Sequence, residues 1–397
     1  MSNESLEFVE DENQLESEED IGVLHRDSFS SAVVSGNDWT AETLLNQINK
    51  GNIWLNPNFQ RRDAWDKKRK SKFIESLMLG LPIPQVVLAE SKERRGSYIV
   101  LDGKQRLLSI RQFAAEKDDN AYEQLKLTGL EVRAELNGKS LTDFQNDLAL
   151  FDDLSAFENQ PVRTVVIKNW PNEDFLYHVF LRLNTGSVPL SPQELRQALH
   201  PGPFTTFLDQ ASSESPGLKD ILKLNKPDFR MRDAELLLRY FSFKNFLPDY
   251  SGTLKKFLDD CCESFNTDWD EKEDVLRSQL YSFEEAHERL KVVFSGYQYR
   301  KWSGKTYESR FNRSVFDILV LSFADEQVRE RSKGRETLVE NAFKELCAES
   351  REFMASLEST TKSLTATHTR ISKWFEKLNG VLEVHLHVPV LVGNRIV

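Results

Sequence analysis

The sequence predicts an α+β fold in its first half, with short strands set among amphipathic helices, followed by a mainly α-helical C-terminal domain. Three observations carry this reading. Up to about residue 205, apolar runs bounded by Gly, Pro and Asn alternate with segments of helical period. Beyond Pro203 the helical period takes over, and strand-like runs are scarce until residues 384–392. At 397 residues the chain is long enough for about two to three cores.

The elements follow in order. Trp39, Leu44, Leu45 and Ile48 recur at helical spacing and Gly51 ends the segment, which predicts a first helix. Residues 53–55 read as a short strand, and Asn56-Pro57-Asn58 as a turn leading to Phe59-Gln60-Arg61-Arg62. From Asp66 a helix places Phe73, Ile74, Leu77 and Met78 on one face, and Gly80 stops it. Leu81-Pro82-Ile83-Pro84 imposes an extended entry to a strand at 85–89, which pairs as a hairpin with a strand at 98–101. The helix after Asp102 runs to about residue 115 and buries Leu107, Leu108, Ile110 and Phe113. Strands are expected at 130–136 and 163–168, on either side of an acidic, helical insert at 141–154.

A helix over 172–183 ends at Asn184-Thr185-Gly186, and Ser191-Pro192-Gln193-Glu194 is a capping box with proline at the first helical position. A domain boundary falls near residues 201–225. Past it, helices are predicted at 234–243, 254–265, 274–294, 311–328, 336–353 and 369–378. The expected domains are a disordered acidic tail over 1–37, an α+β domain over 38–205 and a helical domain over 206–397.

Composition excludes several classes. Hydrophobic residues at 39% and charged residues at 29% are ordinary for a globular chain, and no apolar run approaches the roughly 20 residues that span a bilayer. The N-terminus is acidic and lacks a basic-then-apolar signal pattern, so a cytoplasmic address and no membrane partner are expected. Cys261, Cys262 and Cys347 show no metal-ligand spacing and read as reduced thiols. The net charge of -11 argues against wholesale nucleic-acid binding, yet much of it sits before Arg26, where acidic residues meet no Lys or Arg. A second reading of that tail is a nucleic-acid mimic or a cover for a basic groove in cis.

The most informative stretch is 98–108, where an apolar strand runs through Asp102 and Gly103 into a helix carrying Lys104, Gln105 and Arg106. A strand ending in Asp-Gly needs the permissive backbone of Gly103 for a sharp reversal, and the helix start supplies unpaired N–H groups and a positive dipole end. Such a turn suits an anion. The plainer reading makes Asp102 a cap, Gly103 a chain reversal and the cations solvated. Two other polar clusters also sit at element ends: Gln60-Arg61-Arg62 and Arg182 to Gly186. An Asp near several Arg, Gln and Asn groups matches a metal-bound polyphosphate, with the carboxylate on Mg2+ and guanidinium groups on phosphate oxygens. A nucleoside triphosphate is the natural ligand class. Walker A and Gly-x-Gly-x-x-Gly patterns are absent from the sequence.

Four ordered blocks carry a resemblance: Asn56 to Arg62 with Trp65; Leu81-Pro82-Ile83-Pro84; Leu101-Asp102-Gly103-Lys104-Gln105-Arg106-Leu107; and Phe180 to Gly186 with Pro189 to Leu195. Together they resemble the N-terminal domain of GmrSD-type restriction proteins over residues 38–205. The resemblance implies a ParB/sulfiredoxin-like fold and an Asp-Gly-Gln-Gln-Arg motif associated with nucleotide binding and hydrolysis in systems that restrict modified phage DNA. It puts Asp102, Gln105 and Arg106 in catalytic roles, with Asp102 also on Mg2+, and Gln60, Arg61, Gly103, Lys104, Arg182, Asn184 and Gly186 around the nucleotide. Lys104 departs from the motif, where a glutamine is usual; it favours phosphate and removes a neutral group that could position water.

Full-length relatives also carry a C-terminal His-Asn-His nuclease domain. Residues 383–389 resemble its start, but the sequence ends at Val397, so nuclease activity is not expected of this chain.

The expected function is therefore a Mg2+-dependent nucleoside triphosphatase of an anti-phage restriction system, acting with DNA or with a nuclease or modification-system protein partner, and possible as a homo-oligomer. The alternative is a non-catalytic DNA- or protein-binding module of a defence or toxin-type system, favoured by Lys104 and the cationic run 67–72. DNA cleavage by this domain would need a carboxylate or histidine metal cluster that local sequence does not assemble.

Overall fold

A computed structural model describes residues 9–10, 31–55, 62–183, 191–359 and 361–397. The chain divides into two compact units, Ile21–Leu199 and His200–Val397, the second joined by strand β1 (Val9–Glu10).

The first unit is built on a mixed four-stranded sheet of β2 (Val33–Thr40), β3 (Val86–Glu90), β4 (Tyr98–Asp102) and β5 (Pro161–Lys168), in the order β2-β5-β3-β4. β3 and β4 form the expected antiparallel hairpin, β3 runs parallel to β5, and β2 lies antiparallel to β5 from Val33↔Lys168 to Thr40↔Pro161. The central strand β3 is apolar and buried from Val86 to Ala89 because both faces are covered there. Val86 and Leu88 enter a core with Leu44, Ile74, Leu107 and Phe157, whereas Val87 and Ala89 enter another with Leu101, Phe175, Phe180 and Leu195.

The first core is supplied by helices α1 (Ala41–Asn49), α2 (Lys67–Met78), α3 (Lys104–Phe113), α4 (Leu141–Asn146) and α5 (Phe151–Asn159). Edge-to-face contacts of Phe113 with Phe144 and Phe157, at centroid distances of 5.7 and 5.2 Å, tie α3 to α4 and α5. The second core is supplied by α6 (Glu173–Leu183) and α7 (Pro192–Leu199), both packed against β4.

Several expectations are corrected here. Trp39 lies in β2 and not in the first helix, and residues 33–37 belong to the same strand, so order begins inside the expected tail. The eight-residue ladder to β5, with Arg163 and Asp38 paired at 3.1 Å across it, organises a segment whose Gly36-Asn37-Asp38 looks like turn chemistry. Most of the remaining tail lies outside the described residues. The strand expected at 53–55 reduces to a single bridge between Ile53 and Tyr98. No strand forms at 130–136. Leu130 and Leu136 are both buried, but the Asn137 amide accepts from Leu130 N–H at 3.0 Å and donates to Ala134 at 2.9 Å, closing a loop with one 3-10 turn. The capping box at Ser191 is present: Glu194 N–H donates to Ser191 Oγ at 3.1 Å and Ser191 N–H to Glu194 Oε2 at 2.8 Å.

The second unit is mainly helical: α8 (Pro203–Glu214), α9 (Pro216–Leu222), α10 (Arg232–Phe246), α11 (Leu254–Thr267), α12 (Trp269–Val293), α13 (Arg313–Phe323), α14 (Glu326–Ser332), α15 (Glu336–Glu349), α16 (Arg351–Glu358) and α17 (Leu364–Leu382). α13 is buried along its whole length, with its Arg313 and Asp317 held in ion pairs, and it packs against α10, α12 and α17. Two helices expected as single pieces are split by caps. Asp325 accepts from Gln327 N–H at 2.8 Å and starts α14, while Ser350 accepts from Phe353 N–H at 3.3 Å and starts α16. Strand β6 (Arg310–Phe311) pairs parallel with β1, and the expected strand at 384–392 contracts to β7 (Leu391–Val392) paired with β8 (Arg395–Ile396). No helix among the described residues is long and apolar enough to cross a membrane.

Candidate functional site

The charged turn is assembled where β4 ends and α3 begins. Gly103 has φ +97°, a left-handed backbone that a side chain disfavours. A Cβ there would also lie 2.9 Å from Val86 Cγ2 and 3.3 Å from Val86 Cα. Glycine is thus required twice, by conformation and by the closeness of β3.

This reversal lets Asp102 fold back on its own turn. Gly103 N–H donates to Asp102 Oδ1 at 2.7 Å, and Arg106 Nη2 donates to Asp102 Oδ2 at 2.8 Å and to the Gln85 carbonyl at 2.8 Å. The Asp102 side chain remains 40% exposed while Arg106 is 13% exposed, so the guanidinium forms a wall that aims a carboxylate open to solvent. The N-cap of α3 is Gly103, which has no side chain with which to cap it. A helix start favours negative charge. Gln105 Oε1 and Arg106 Nε are buried without a hydrogen-bond partner. A site with a glycine-capped helix start, a guanidinium and orphaned polar atoms fits a phosphate-bearing ligand, and the exposed carboxylate beside it would suit Mg2+, which retains waters and takes its other oxygens from phosphates.

Lys104 is seated differently from its neighbours. Its ammonium is buried and paired with Glu194 Oε1 at 2.6 Å, each side chain being 6% exposed. Because Glu194 also closes the capping box of α7 through Oε2, this one carboxylate joins the motif turn to the Ser191 block. Beside the pair lies a cleft walled by Trp54, Leu55, Tyr98 and Val100, with Trp54 43% exposed.

The structure therefore brings Asp102, Gly103, Lys104, Gln105 and Arg106 into one turn. Arg182 is exposed in the last turn of α6. Gln60, Arg61, Asn184 and Gly186 lie outside the described residues. Two features escape sequence reasoning: the second role of Glu194 and the aromatic wall at Trp54 and Tyr98. A capping box announces the first carboxylate oxygen but not the partner of the second, and an isolated tryptophan reads as core.

Fold and site together define a class: a helix-covered mixed sheet whose strand-to-helix turn presents a carboxylate, a guanidinium and a helix start. Residues 41–201 match the family model described as GmrSD restriction endonuclease, N-terminal domain. The α+β unit is therefore similar to the N-terminal domain of that restriction-endonuclease family. No curated protein and no solved structure matches the chain.

Proposed function

We infer that the α+β unit binds a nucleoside triphosphate with Mg2+ at the Asp102–Arg106 turn and hydrolyses it as a component of a DNA restriction system. The observation that carries this reading is the Asp102 carboxylate, held by Gly103 N–H and Arg106 yet 40% exposed at the start of α3. The α3 N–H groups and Arg106 take phosphate oxygens, and Asp102 holds the metal, which supplies charge neutralisation on the phosphates. Gln105, two residues into the helix, is the group that orients water. The Trp54 and Tyr98 wall receives the base by stacking. The Lys104–Glu194 pair keeps α3 and α7 in register beneath the site, a positioning role.

The test is a binding and phosphate-release panel with the four ribonucleoside triphosphates, with and without Mg2+ and DNA. Binding of at least one with Mg2+, lost in Asp102→Ala and Arg106→Ala variants that remain folded, is expected. Absence of binding by the wild type overturns the reading. Binding without phosphate release reduces it to a nucleotide-gated module, for which Lys104 at the usual glutamine position is the residue to restore by Lys104→Gln. The second reading, a DNA-binding module, rests on the exposed lysines at the start of α2. It predicts a DNA complex that weakens steeply with salt and needs no nucleotide.

A further inference from the structure

The helical unit holds a second cluster of cations, built from helices far apart in sequence. Arg239 on α10, Arg313 on α13 and Arg370 on α17 are 3%, 1% and 1% exposed. Two carboxylates face them. Asp317 accepts from Arg239 Nε at 3.0 Å and Nη2 at 2.5 Å, and Glu235 accepts from Arg313 Nε at 3.0 Å and Nη2 at 3.1 Å. Arg370 has a poorer counter-charge: its Nη1 donates to the Thr361 carbonyl at 2.5 Å, while Nη2 stands 3.6 Å from the Asp317 oxygen that already serves Arg239.

These three guanidinium groups, with Lys362, Ser314 and Tyr250, line a small, partly open pocket, and among the described residues no acidic side chain lines it. Two of its donors, Arg239 Nη1 and Arg370 Nε, are buried without a hydrogen-bond partner. Burial presses the Arg370 pKa below its ordinary value while Asp317 pulls it back, and an arginine stays protonated through such shifts. A buried cation must be answered by an anion or by converging hydrogen-bond acceptors.

We propose that this pocket binds a phosphoryl anion, held by Arg239 Nη1 and Arg370 Nε, with Lys362 in its lining. A phosphoryl group offers several strong acceptor oxygens and a charge that matches planar N–H donors arriving from different helices. Chloride offers no directional acceptors. Bound there, the anion cross-links α10 and α17 through the Arg239 and Arg370 donors, so occupancy stabilises the helical unit.

The experiment is thermal unfolding and isothermal titration of the full chain with inorganic phosphate or a nucleoside monophosphate, each against chloride at matched ionic strength. A saturable rise in melting temperature with a phosphate ligand is expected, together with its loss in Arg370→Gln and a several-fold weaker dissociation constant in Lys362→Gln. Response to inorganic phosphate assigns the site to the free anion; response to the monophosphate alone assigns it to an ester. The shift persists in Arg106→Ala, which separates this site from the turn in the α+β unit. No phosphate-specific shift in the wild type, or the same shift in Lys362→Gln and Arg370→Gln as in the wild type, overturns the proposal. If Arg370→Gln does not fold, the half-buried Lys362 variant decides alone.

Discussion

Asp102 and Arg370 sit in charged clusters that treat burial in opposite ways. At the turn, an exposed carboxylate is aimed by a largely buried guanidinium four residues along the same chain segment. In the helical unit, buried arginines from α10, α13 and α17 are met by Asp317 and Glu235, neither of which is in the lining of the pocket. The first arrangement tolerates an absent ligand because water can serve Asp102. The second depends on charge balance among groups that water reaches poorly. Charged sites near a chain reversal are therefore suited to exchange of ligand, and buried ones to coupling of occupancy with stability.

The largest expected effect sharpens that contrast from within the turn itself, since Lys104 is the one motif cation buried like the arginines. Glu194→Ala leaves its ammonium without that carboxylate and removes half of the α7 capping box. A loss of about 3–5 kcal/mol in urea unfolding is expected. The double variant Lys104→Met, Glu194→Leu should recover most of that loss, because two well-packed apolar groups replace the pair. A silent Glu194→Ala would mean that Lys104 is free to meet a ligand after all.

Gly103→Ala comes next. With φ +97° and Val86 at 2.9 Å from the added methyl, it should destabilise the α+β unit by about 1–3 kcal/mol and displace Asp102 from its N–H donor. Hydrogen exchange of the α3 amides would report both effects. Trp54→Ala should weaken nucleotide binding by about tenfold at unchanged Mg2+ dependence, as expected for loss of one stacking face. A fluorescence titration checks it.

The smallest effect is a pH dependence. Burial raises the Asp119 carboxyl, but Arg111 and the Ala121 and Tyr122 N–H groups outweigh this and hold it below its ordinary 3.8. A carboxylate depressed by folding adds stability above its unfolded pKa and loses it as pH falls through the folded value. The melting-temperature gap between the wild type and Asp119→Asn should therefore be full at pH 7 and close below about pH 4.

Contiguous features were legible in the sequence. The β3–β4 hairpin, the Gly103 reversal and the Ser191 capping box each rest on a few neighbouring residues whose local chemistry has one good solution. Features made by distant partners were not. The ladder that recruits Val33–Thr40 lies 121 to 135 residues away in β5, and nothing local to Lys104 announces Glu194, 90 positions on. Residues 130–136 misled for a related reason: two buried leucines imitate a strand, while Asn137 closes the loop. The arginine pocket is the extreme case, since Arg239, Arg313 and Arg370 carry no common motif.

The proposed nucleotide site turns on Asp102 as its metal-directed carboxylate. Its most direct test is calorimetric titration of nucleoside triphosphate into the wild type and into Asp102→Asn, each with and without Mg2+. The asparagine keeps the shape of the side chain and an oxygen for Gly103 N–H but removes the charge. Mg2+ should tighten binding at least tenfold in the wild type and have little effect in the variant. Equal Mg2+ dependence in the two proteins, or no binding by either, would contradict it.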